Sequence, residues 1–224
     1  MLIKKNKKIF IYFIFLLLLG SLNNKYLNKI NFPKLNEIQI NGINEKNQTF
    51  LLEELDKFKI NNIFEIDQAG IVSIIDKVDI IENYKIFKKY PSTLQIDVEE
   101  TNFLVLKNID GKNYALGSNG KYIYFEDKQN ELPYIFGNFK NEDFLKFKKI
   151  IDKSKLEYSD IKKIFFFNSQ RWDIEMRNGL LIKLPEKKLL ESLNLSTELI
   201  SSNDFKNIKI IDTRVNNQVI LNGK

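Results

Sequence analysis

Residues 84–100 contain the clearest strand pattern in the chain, Tyr84-Lys-Ile-Phe-Lys-Lys-Tyr-Pro-Ser-Thr-Leu-Gln-Ile-Asp-Val-Glu-Glu100. Apolar residues alternate with polar ones on both sides of Pro91, at Tyr84 and Ile86 before it and at Leu94, Ile96 and Val98 after it. A period of two is typical of strands with one buried face, and Pro-Ser-Thr indicates a turn. The stretch therefore predicts two strands joined by a short connection.

The residues before this pair predict one more strand and two helices. Ile38 and Ile40 alternate with polar residues, and Gly42 ends the strand in a turn. Thr49 is the expected N-cap of a first helix, whose apolar face is formed by Phe50, Leu51, Leu55 and Phe58. Asp67 is the expected N-cap of a second helix, whose core stripe is formed by Ile71, Ile74, Ile75 and Val78. Residues 35–102 thus have the predicted element order β-α-α-β-β.

Residues 103–224 predict a second unit that is mostly β with two helices. Strand-like runs lie at residues 103–106, 112–116, 122–125, 164–167, 172–176, 180–184, 208–211 and 218–221. Helical stripes lie at residues 143–151 and 187–201, and residues 132–137 form a loop or a short strand. Gly117-Ser-Asn-Gly120 is expected to be a hairpin turn, because it lacks the Lys-Ser/Thr of a phosphate-binding loop. The predicted fold class is α+β.

The N-terminus predicts a single transmembrane helix that anchors the body. Four lysines within residues 1–8 precede an uncharged, mostly apolar run at residues 9–24, which includes Ile9, Phe10, Phe13, Phe15, Leu16 and Leu19. A cleaved signal peptide is the alternative, but the residues around Gly20 and Ser21 fit a cleavage site poorly. The excess of lysine before the span predicts a cytoplasmic tail at residues 1–8 and a body outside the cytoplasm.

The composition excludes several kinds of active site. The chain contains neither His nor Cys, which excludes a Ser-His-Asp triad, a zinc finger and disulfide bonds. Residues 1–36 hold seven lysines and no acid, so the remaining residues sum to −1 and a nucleic-acid partner is not expected. Glu53 and Glu54 are expected on the solvent face of a predicted helix, and Glu99 and Glu100 do not converge on one substrate, since strand neighbours face opposite ways. We expect neither catalysis nor a cofactor, and we expect Trp172 to lie in the core.

Several short sequence motifs follow one another along the two units in a characteristic order. They are Ile38-Gln-Ile-Asn-Gly42, Asn62-Ile-Phe-Glu-Ile-Asp67, the run from Tyr84 to Glu100, Gly117-Ser-Asn-Gly-Lys-Tyr122, Leu132-Pro133 with Gly137, Arg171-Trp172, Asn178-Gly-Leu-Leu-Ile-Lys-Leu184 and Ile211-Asp-Thr-Arg214. This ordered set resembles the FtsQ/DivIB family of bacterial cell division proteins. The run Tyr90-Pro-Ser-Thr-Leu-Gln-Ile-Asp-Val-Glu99 carries the resemblance most strongly.

The resemblance implies a fold and a function. It implies a POTRA domain at residues 35–102 and a β-rich partner-binding domain at residues 103–224. It also implies a non-enzymatic scaffold, bound to the bacterial inner membrane at the division septum with its body in the periplasm. Such a scaffold would dock coiled-coil partners similar to FtsB and FtsL and would help to position septal peptidoglycan synthesis.

The C-terminal strand is the expected docking edge. Little chain follows it, so we expect a partner strand to pair with its outer side. The expected partner-binding residues are Arg171, Arg214, Val215, Asn217, Val219, Ile220 and Leu221. Two alternatives stay open: the strand is internal to the sheet, and Arg214 forms an ion pair within the chain.

Three other functions are compatible with parts of the sequence. A POTRA-bearing protein of outer-membrane assembly or secretion would need a β-barrel after residue 102, and the two predicted helices there argue against one. A secreted binding module would require cleavage of the N-terminal segment. A periplasmic enzyme would have to work without His and Cys.

Overall fold

The computed structural model describes residues 3–22, 33–57, 63–64, 66–126, 131–202, 208–215 and 218–223. In these ranges the chain forms five α-helices and twelve strands, which divide into two separate sheets. The predicted α+β class is therefore confirmed. We call the two halves the small-sheet unit and the large-sheet unit.

The small-sheet unit contains three strands and two helices of the described chain. They are β1 (Glu37–Asn41), α2 (Glu45–Lys57), α3 (Gln68–Ile75), β2 (Ile81–Lys89) and β3 (Thr93–Glu100). The strand order is β1-β3-β2, with β1 parallel and β2 antiparallel to β3. Leu94, Ile96 and Val98 of β3 are buried against the helices, as their alternation predicts. The element order β-α-α-β-β is the predicted one.

The register gives the small sheet two distinct ends. At one end Thr93 pairs with both Glu37 and Lys89, and the incoming chain is held there by a bond from the Asn36 amide to the Ser92 carbonyl (2.9 Å). We call this the linker end. At the other end Ile81 pairs with Glu100, where the chain passes into the next unit. We call this the joint end.

Helix α2 begins earlier than its sequence pattern predicts. Asn44 accepts a bond from the Asn47 amide (3.1 Å) and so occupies the capping position that was expected for Thr49. The Thr49 hydroxyl instead donates to the Glu45 carbonyl inside the helix. Leu51 and Leu55 are buried as expected, whereas Phe50 is 41% exposed and Phe58 lies outside the described residues.

Helix α3 has the predicted cap and core stripe. The Asp67 carboxylate accepts a bond from the Ala69 amide (3.0 Å). Ile71, Ile74 and Ile75 are buried, and Val78 is buried just beyond the end of the helix. Gly42, with φ +84°, turns the chain between β1 and α2, where a Cβ atom would lie 2.0 Å from the Val98 carbonyl oxygen.

The large-sheet unit consists of the remaining strands and two helices. Its elements are β4 (Phe103–Ile109), β5 (Lys112–Gly117), β6 (Tyr122–Tyr124), β7 (Tyr134–Phe136), α4 (Asn141–Lys153), β8 (Ile161–Phe166), β9 (Trp172–Met176), β10 (Leu181–Lys183), α5 (Leu189–Ser201), β11 (Ile208–Asp212) and β12 (Ile220–Gly223). The strand order is β12-β11-β10-β9-β8-β7-β4-β5-β6. Trp172 stacks on Phe147 of α4 with ring centroids 4.6 Å apart, which confirms its place in the core.

A joint connects the two units through the turn between β5 and β6. The Asn119 side chain donates to the carbonyls of Asp79 (2.8 Å) and Ile81 (3.2 Å), and Lys121 donates to the Asp76 carbonyl (3.2 Å). Buried Thr101 accepts the Asn119 amide and donates its own amide to Ile80. The predicted hairpin turn at residues 117–120 is thus present, and it also fixes one unit against the other.

Helix α1 (Ile3–Leu22) precedes both units. Its side chains from residue 7 to residue 20 are exposed on every face. Among the residues that the structure describes, no helix is both long enough and apolar enough to cross a membrane. The transmembrane anchor stays a prediction.

Replacing Asn119 by Ala should weaken the joint without disturbing either core. We expect a loss of about 1–2 kcal/mol in the free energy of unfolding, because three side-chain hydrogen bonds are removed, two across the joint and one to the Lys121 amide within the turn. Urea unfolding can be followed by the fluorescence of Trp172, which lies in the large-sheet unit, and by far-UV circular dichroism, which reports both units. The urea midpoints measured by fluorescence and by circular dichroism should differ more in this variant than in the parent chain.

Asn178→Ala is the matched control, since the Asn178 side chain accepts a bond from Leu180 within the large-sheet unit only. It should leave the two midpoints as close together as in the parent chain. Coincident midpoints in Asn119→Ala would show that the turn does not couple the units.

Candidate partner-binding site

A row of isoleucines sets which side chains of the large sheet face outward. The register pairs neighbouring strands so that one row crosses the sheet through Ile135, Ile164, Ile174, Ile182 and Ile211. All of these residues are at most 2% exposed and pack in the core with α4 and α5. Because successive residues of a strand face opposite ways, the next row must face away from the helices.

This outer row carries charge at the C-terminal end of the sheet. Asp173 of β9 pairs with Lys183 of β10, Lys183 pairs with Asp212 of β11, and Asp212 pairs with Ile220 of β12. Arg171 lies just before β9 and Arg214 just after β11. The sheet therefore brings two carboxylates, a lysine and two arginines together next to its last strand.

Arg214 is held in a fork by Asp212. Its Nε donates to Oδ1 of Asp212 (2.7 Å), and a terminal nitrogen donates to Oδ2 (2.5 Å). The Arg214 guanidinium lowers the pKa of the Asp212 carboxyl, against the opposing effect of partial burial. The internal ion pair is therefore the arrangement of Arg214 in this structure. Within the described residues, three of its five N–H donors remain for another acceptor.

Asp173 and Arg171 form a partly satisfied polar pair beside this fork. Asp173 is only 4% exposed, and burial raises the pKa of its carboxyl while Arg171, Arg214 and Lys183 oppose the rise. Within the described residues, Oδ1 of Asp173 and Nε of Arg171 are buried without a hydrogen-bond partner. The Arg171 guanidinium lies 5.3 Å from the centre of the Phe167 ring. Unpaired buried polar atoms are costly, so they favour an additional partner.

Strand β12 lies at the edge of the large sheet and pairs with β11 on one side. No strand pairs with its other side in the described part of the chain. Ile220 is 52% exposed. A groove of about 280 Å³ runs beside the edge between α5 and the segment before β12, and its walls include Leu195, Val215 and Val219.

The predicted partner-binding residues divide into three groups. Arg171, Arg214, Val215 and Ile220 are gathered near the β12 edge with side chains at least partly exposed. Val219 and Leu221 pack partly against the core, and Val219 also forms part of the groove wall. Asn217 lies outside the described residues. Sequence reasoning missed Asp173 and Lys183. The alternation in Trp172–Met176 indicates that Asp173 faces away from Ile174 but does not indicate its burial.

The region that contains this charged cluster matches a known family model, "Cell division protein FtsQ/DivIB, C-terminal", over residues 105–214. This match supports the assignment of the chain to the FtsQ/DivIB family. Proteins of this family are cell division scaffold proteins, which confirms the prediction that the chain is not an enzyme. The match includes Arg171 and Arg214 and ends before β12.

Curated relatives agree with the family assignment. The chain is 19% identical to the cell division protein FtsQ of Bradyrhizobium diazoefficiens over 211 residues, covering 92% of this chain and 61% of that protein. It is 23% identical to FtsQ of Rickettsia prowazekii over 198 residues, covering 85% and 72%. It is 24% identical to the cell division protein DivIB of Staphylococcus aureus over 117 residues, covering 50% and 27%. Membership therefore indicates a role in cell division.

One solved structure aligns with part of this chain. It is the major extracytoplasmic domain of the division protein DivIB from Geobacillus stearothermophilus, with 12% identity and a TM-score of 0.34. The alignment covers 47% of this chain and 96% of that one.

Replacing Asp212 by Asn should destabilise the large-sheet unit in a pH-dependent way. Because Arg214 lowers the pKa of Asp212, the ion pair stabilises the fold above the unfolded-state pKa of about 3.9. This stability is lost as the pH falls through the lower pKa of the folded state. We expect a loss of about 1–2 kcal/mol at pH 7, allowing for solvent screening at the partly exposed Arg214.

The difference between variant and parent should shrink as the pH falls below about 4. Trp172 fluorescence during urea unfolding measures it. Asp143→Asn, which removes the partner of exposed Lys146, is the control and should change stability little at any pH. A loss for Asp212→Asn that stays constant from neutral to acid pH would contradict the electrostatic explanation.

Proposed function

We propose that this chain is a non-enzymatic scaffold that links membrane proteins of the division machinery to septal peptidoglycan synthesis. The observation that carries the proposal is the unpaired outer side of β12, next to a charged cluster, in a protein of a cell division family. A scaffold needs a surface that recognises a partner, and an exposed strand edge is such a surface.

The proposed topology has one membrane span. Residues 9–22 are uncharged and mostly apolar, and the described side chains of α1 between Ile9 and Leu19 are 41–70% exposed. A helix that is apolar on all faces is normally covered, and lipid is the natural cover for one that precedes both folded units. The lysines before it favour a cytoplasmic N-terminus and a periplasmic body.

The two units have the proposed boundaries 35–102, a POTRA domain, and 103–224, the partner-binding domain. The order β1-α2-α3-β2-β3 supports the first assignment. Two separate hydrophobic clusters support the division, one on each side of Thr101. The joint around Asn119 would hold the two domains in a fixed relative orientation.

Docking would proceed by addition of a partner strand to β12. The partner's backbone would continue the ladder of the large sheet, and its side chains would alternate between the Ile220 face and the groove beside Val215. Arg214 offers its three remaining N–H donors to an acidic side chain, and Arg171 lies close enough to Asp173 to influence its charge. By family resemblance, the partners are coiled-coil proteins similar to FtsB and FtsL.

Proline substitutions at Ile220 and Leu221 test strand addition. Neighbouring residues of an edge strand point their N–H groups to opposite sides, so one substitution removes a bond to β11 and the other removes a donor on the free side. The substitution on the free side keeps the bonds to β11 and so costs less stability. We therefore expect the more stable of the two variants to lose affinity for the FtsB-like partner. Urea unfolding measures stability, and titration with the purified periplasmic segment of that partner measures affinity.

The control is Ile109→Lys, at another exposed isoleucine, which lies in β4 and should leave binding unchanged. Lysine is used there because proline would break the hairpin of β4 and β5. Strand addition would be wrong if the more stable proline variant bound as tightly as the parent chain.

A reporter that is active only in the periplasm tests the topology. Fused after Lys224, it should be active, and the purified protein should retain residues 9–22. Leu16→Arg places a charge in the middle of the apolar run and should release the protein from the membrane fraction. Lys7→Gln is the control and should keep membrane association. If a reporter that works only in the cytoplasm is active when fused after Lys224, and the periplasmic one is not, the proposed orientation is wrong.

A further inference from the structure

The linker end of the small-sheet unit exposes three aromatic rings. Tyr90 is 64% exposed, Phe64 50% and Phe87 45%. The rings of Phe64 and Tyr90 lie 5.2 Å apart. We call these three side chains, together with Lys88 and Lys89, the linker-end patch.

The fold exposes these positions but does not require aromatic residues at them. Ile63, next to Phe64, is fully buried, and Ile86, next to Phe87, packs against the core. Strand alternation turns Phe87 to the opposite face, between Lys85 and Lys89. Phe64 and Tyr90 are adjacent and Phe87 lies three residues before Tyr90, and exposed aromatic side chains grouped in this way usually mark an interaction surface.

The chain joins the small sheet at this same patch. The Asn36 amide is bonded to Ser92, two residues after Tyr90, while the large-sheet unit is attached at the opposite, joint end. Fourteen peptide steps separate Leu22 of α1 from Asn36, which limits their separation to about 50 Å. The patch therefore lies on the side of the body that is tethered to α1.

The connecting sequence has the same chemistry as the patch. Residues 23–36 contain three lysines (Lys25, Lys29 and Lys34), the aromatic residues Tyr26 and Phe32, and no acidic residue. Aromatic rings and lysines together are typical of the boundary between lipid and water, where rings insert among the headgroups and lysines reach the phosphates.

We propose that the linker-end patch lies on the membrane surface, with Tyr90, Phe64 and Phe87 inserted among phospholipid headgroups. The proposal rests on the membrane anchor proposed above. Lys88 and Lys89 would contact anionic phosphates. Exposed acidic side chains at this end, including Glu37 and Asp56, partly offset these charges, so the rings supply the larger share of the binding.

The consequence is a fixed direction for the body. With the linker end on the bilayer, the joint end points away from it, and the large-sheet unit is carried outward. The membrane contact would thus orient β12 without any partner.

Site-specific fluorescence quenching tests the proposal on the full chain. The chain has no cysteine, so a single cysteine can carry an environment-sensitive dye. Three labelled forms are reconstituted in vesicles of phosphatidylethanolamine and phosphatidylglycerol that contain a spin-labelled lipid: Leu16→Cys in α1, Ser92→Cys in the turn beside Tyr90, and Lys112→Cys in the far hairpin of the large-sheet unit. We expect quenching at positions 16 and 92 and none at position 112.

Substitution of the rings then shows what holds the surface to lipid. Phe64→Ser with Tyr90→Ser should reduce quenching of the Ser92→Cys label to the level of position 112. Phe50→Ser is the matched control, since Phe50 is similarly exposed but lies beside Lys77 and Tyr124 near the joint end. It should leave the Ser92→Cys signal unchanged. Circular dichroism must show the same folded content in all forms.

The outcomes separate this proposal from the anchor. Quenching at position 16 but not at position 92 would overturn the surface contact and leave the anchor intact. Absence of quenching at both positions would overturn both. Since the vesicles contain no other protein, quenching at position 92 that the ring substitutions abolish would assign the patch to lipid.

Discussion

The orientation of the large sheet, and of its β12 edge, relative to the small sheet depends on the contacts of Asn119 and Thr101. These two residues tie the turn between β5 and β6 to the carbonyls of residues 79–81, which connect α3 to β2 in the small-sheet unit. Gly117 permits this close approach, because a Cβ atom there would lie 2.6 Å from the Thr101 hydroxyl oxygen. In the described part of the chain, this joint supplies the hydrogen bonds that hold the small sheet against the large sheet.

The alternating pattern of the strands was enough to predict most elements of the fold. Leu94, Ile96 and Val98 face the helices because apolar burial acts on every second residue, and Trp172 and the Asp67 cap lie where local chemistry puts them. Thr49 failed as a predicted cap because α2 begins four residues earlier, at Glu45, where Asn44 accepts the Asn47 amide, so Thr49 lies inside the helix. Tertiary contacts that join distant residues, such as Asn119 to Asp79, leave no local signal in one sequence.

The site was predicted in composition and only partly in geometry. Arg171 and Arg214 stand out because the chain otherwise uses lysine. Their relation to Asp173 depends on the pairing of β9, β10 and β11, which is a long-range property of the sheet. The same pairing explains why Val219 and Leu221 turn inward while Ile220 turns out. Asp212 limits the rotamers of Arg214, so the guanidinium is oriented before any acidic group arrives.

The order of strands also determines how the protein would carry mechanical load. A pull on β12 must cross the sheet laterally through β11, β10, β9, β8 and β7 before it reaches β4, which follows the joint. The narrowest seam on this path is between β7 and β4, where Tyr134 opposite Leu106 is the paired position and the Leu106 amide bonds to the Pro133 carbonyl. If a partner at β12 pulled against a membrane-tethered N-terminus, as proposed above, we expect the strands to separate first at this seam.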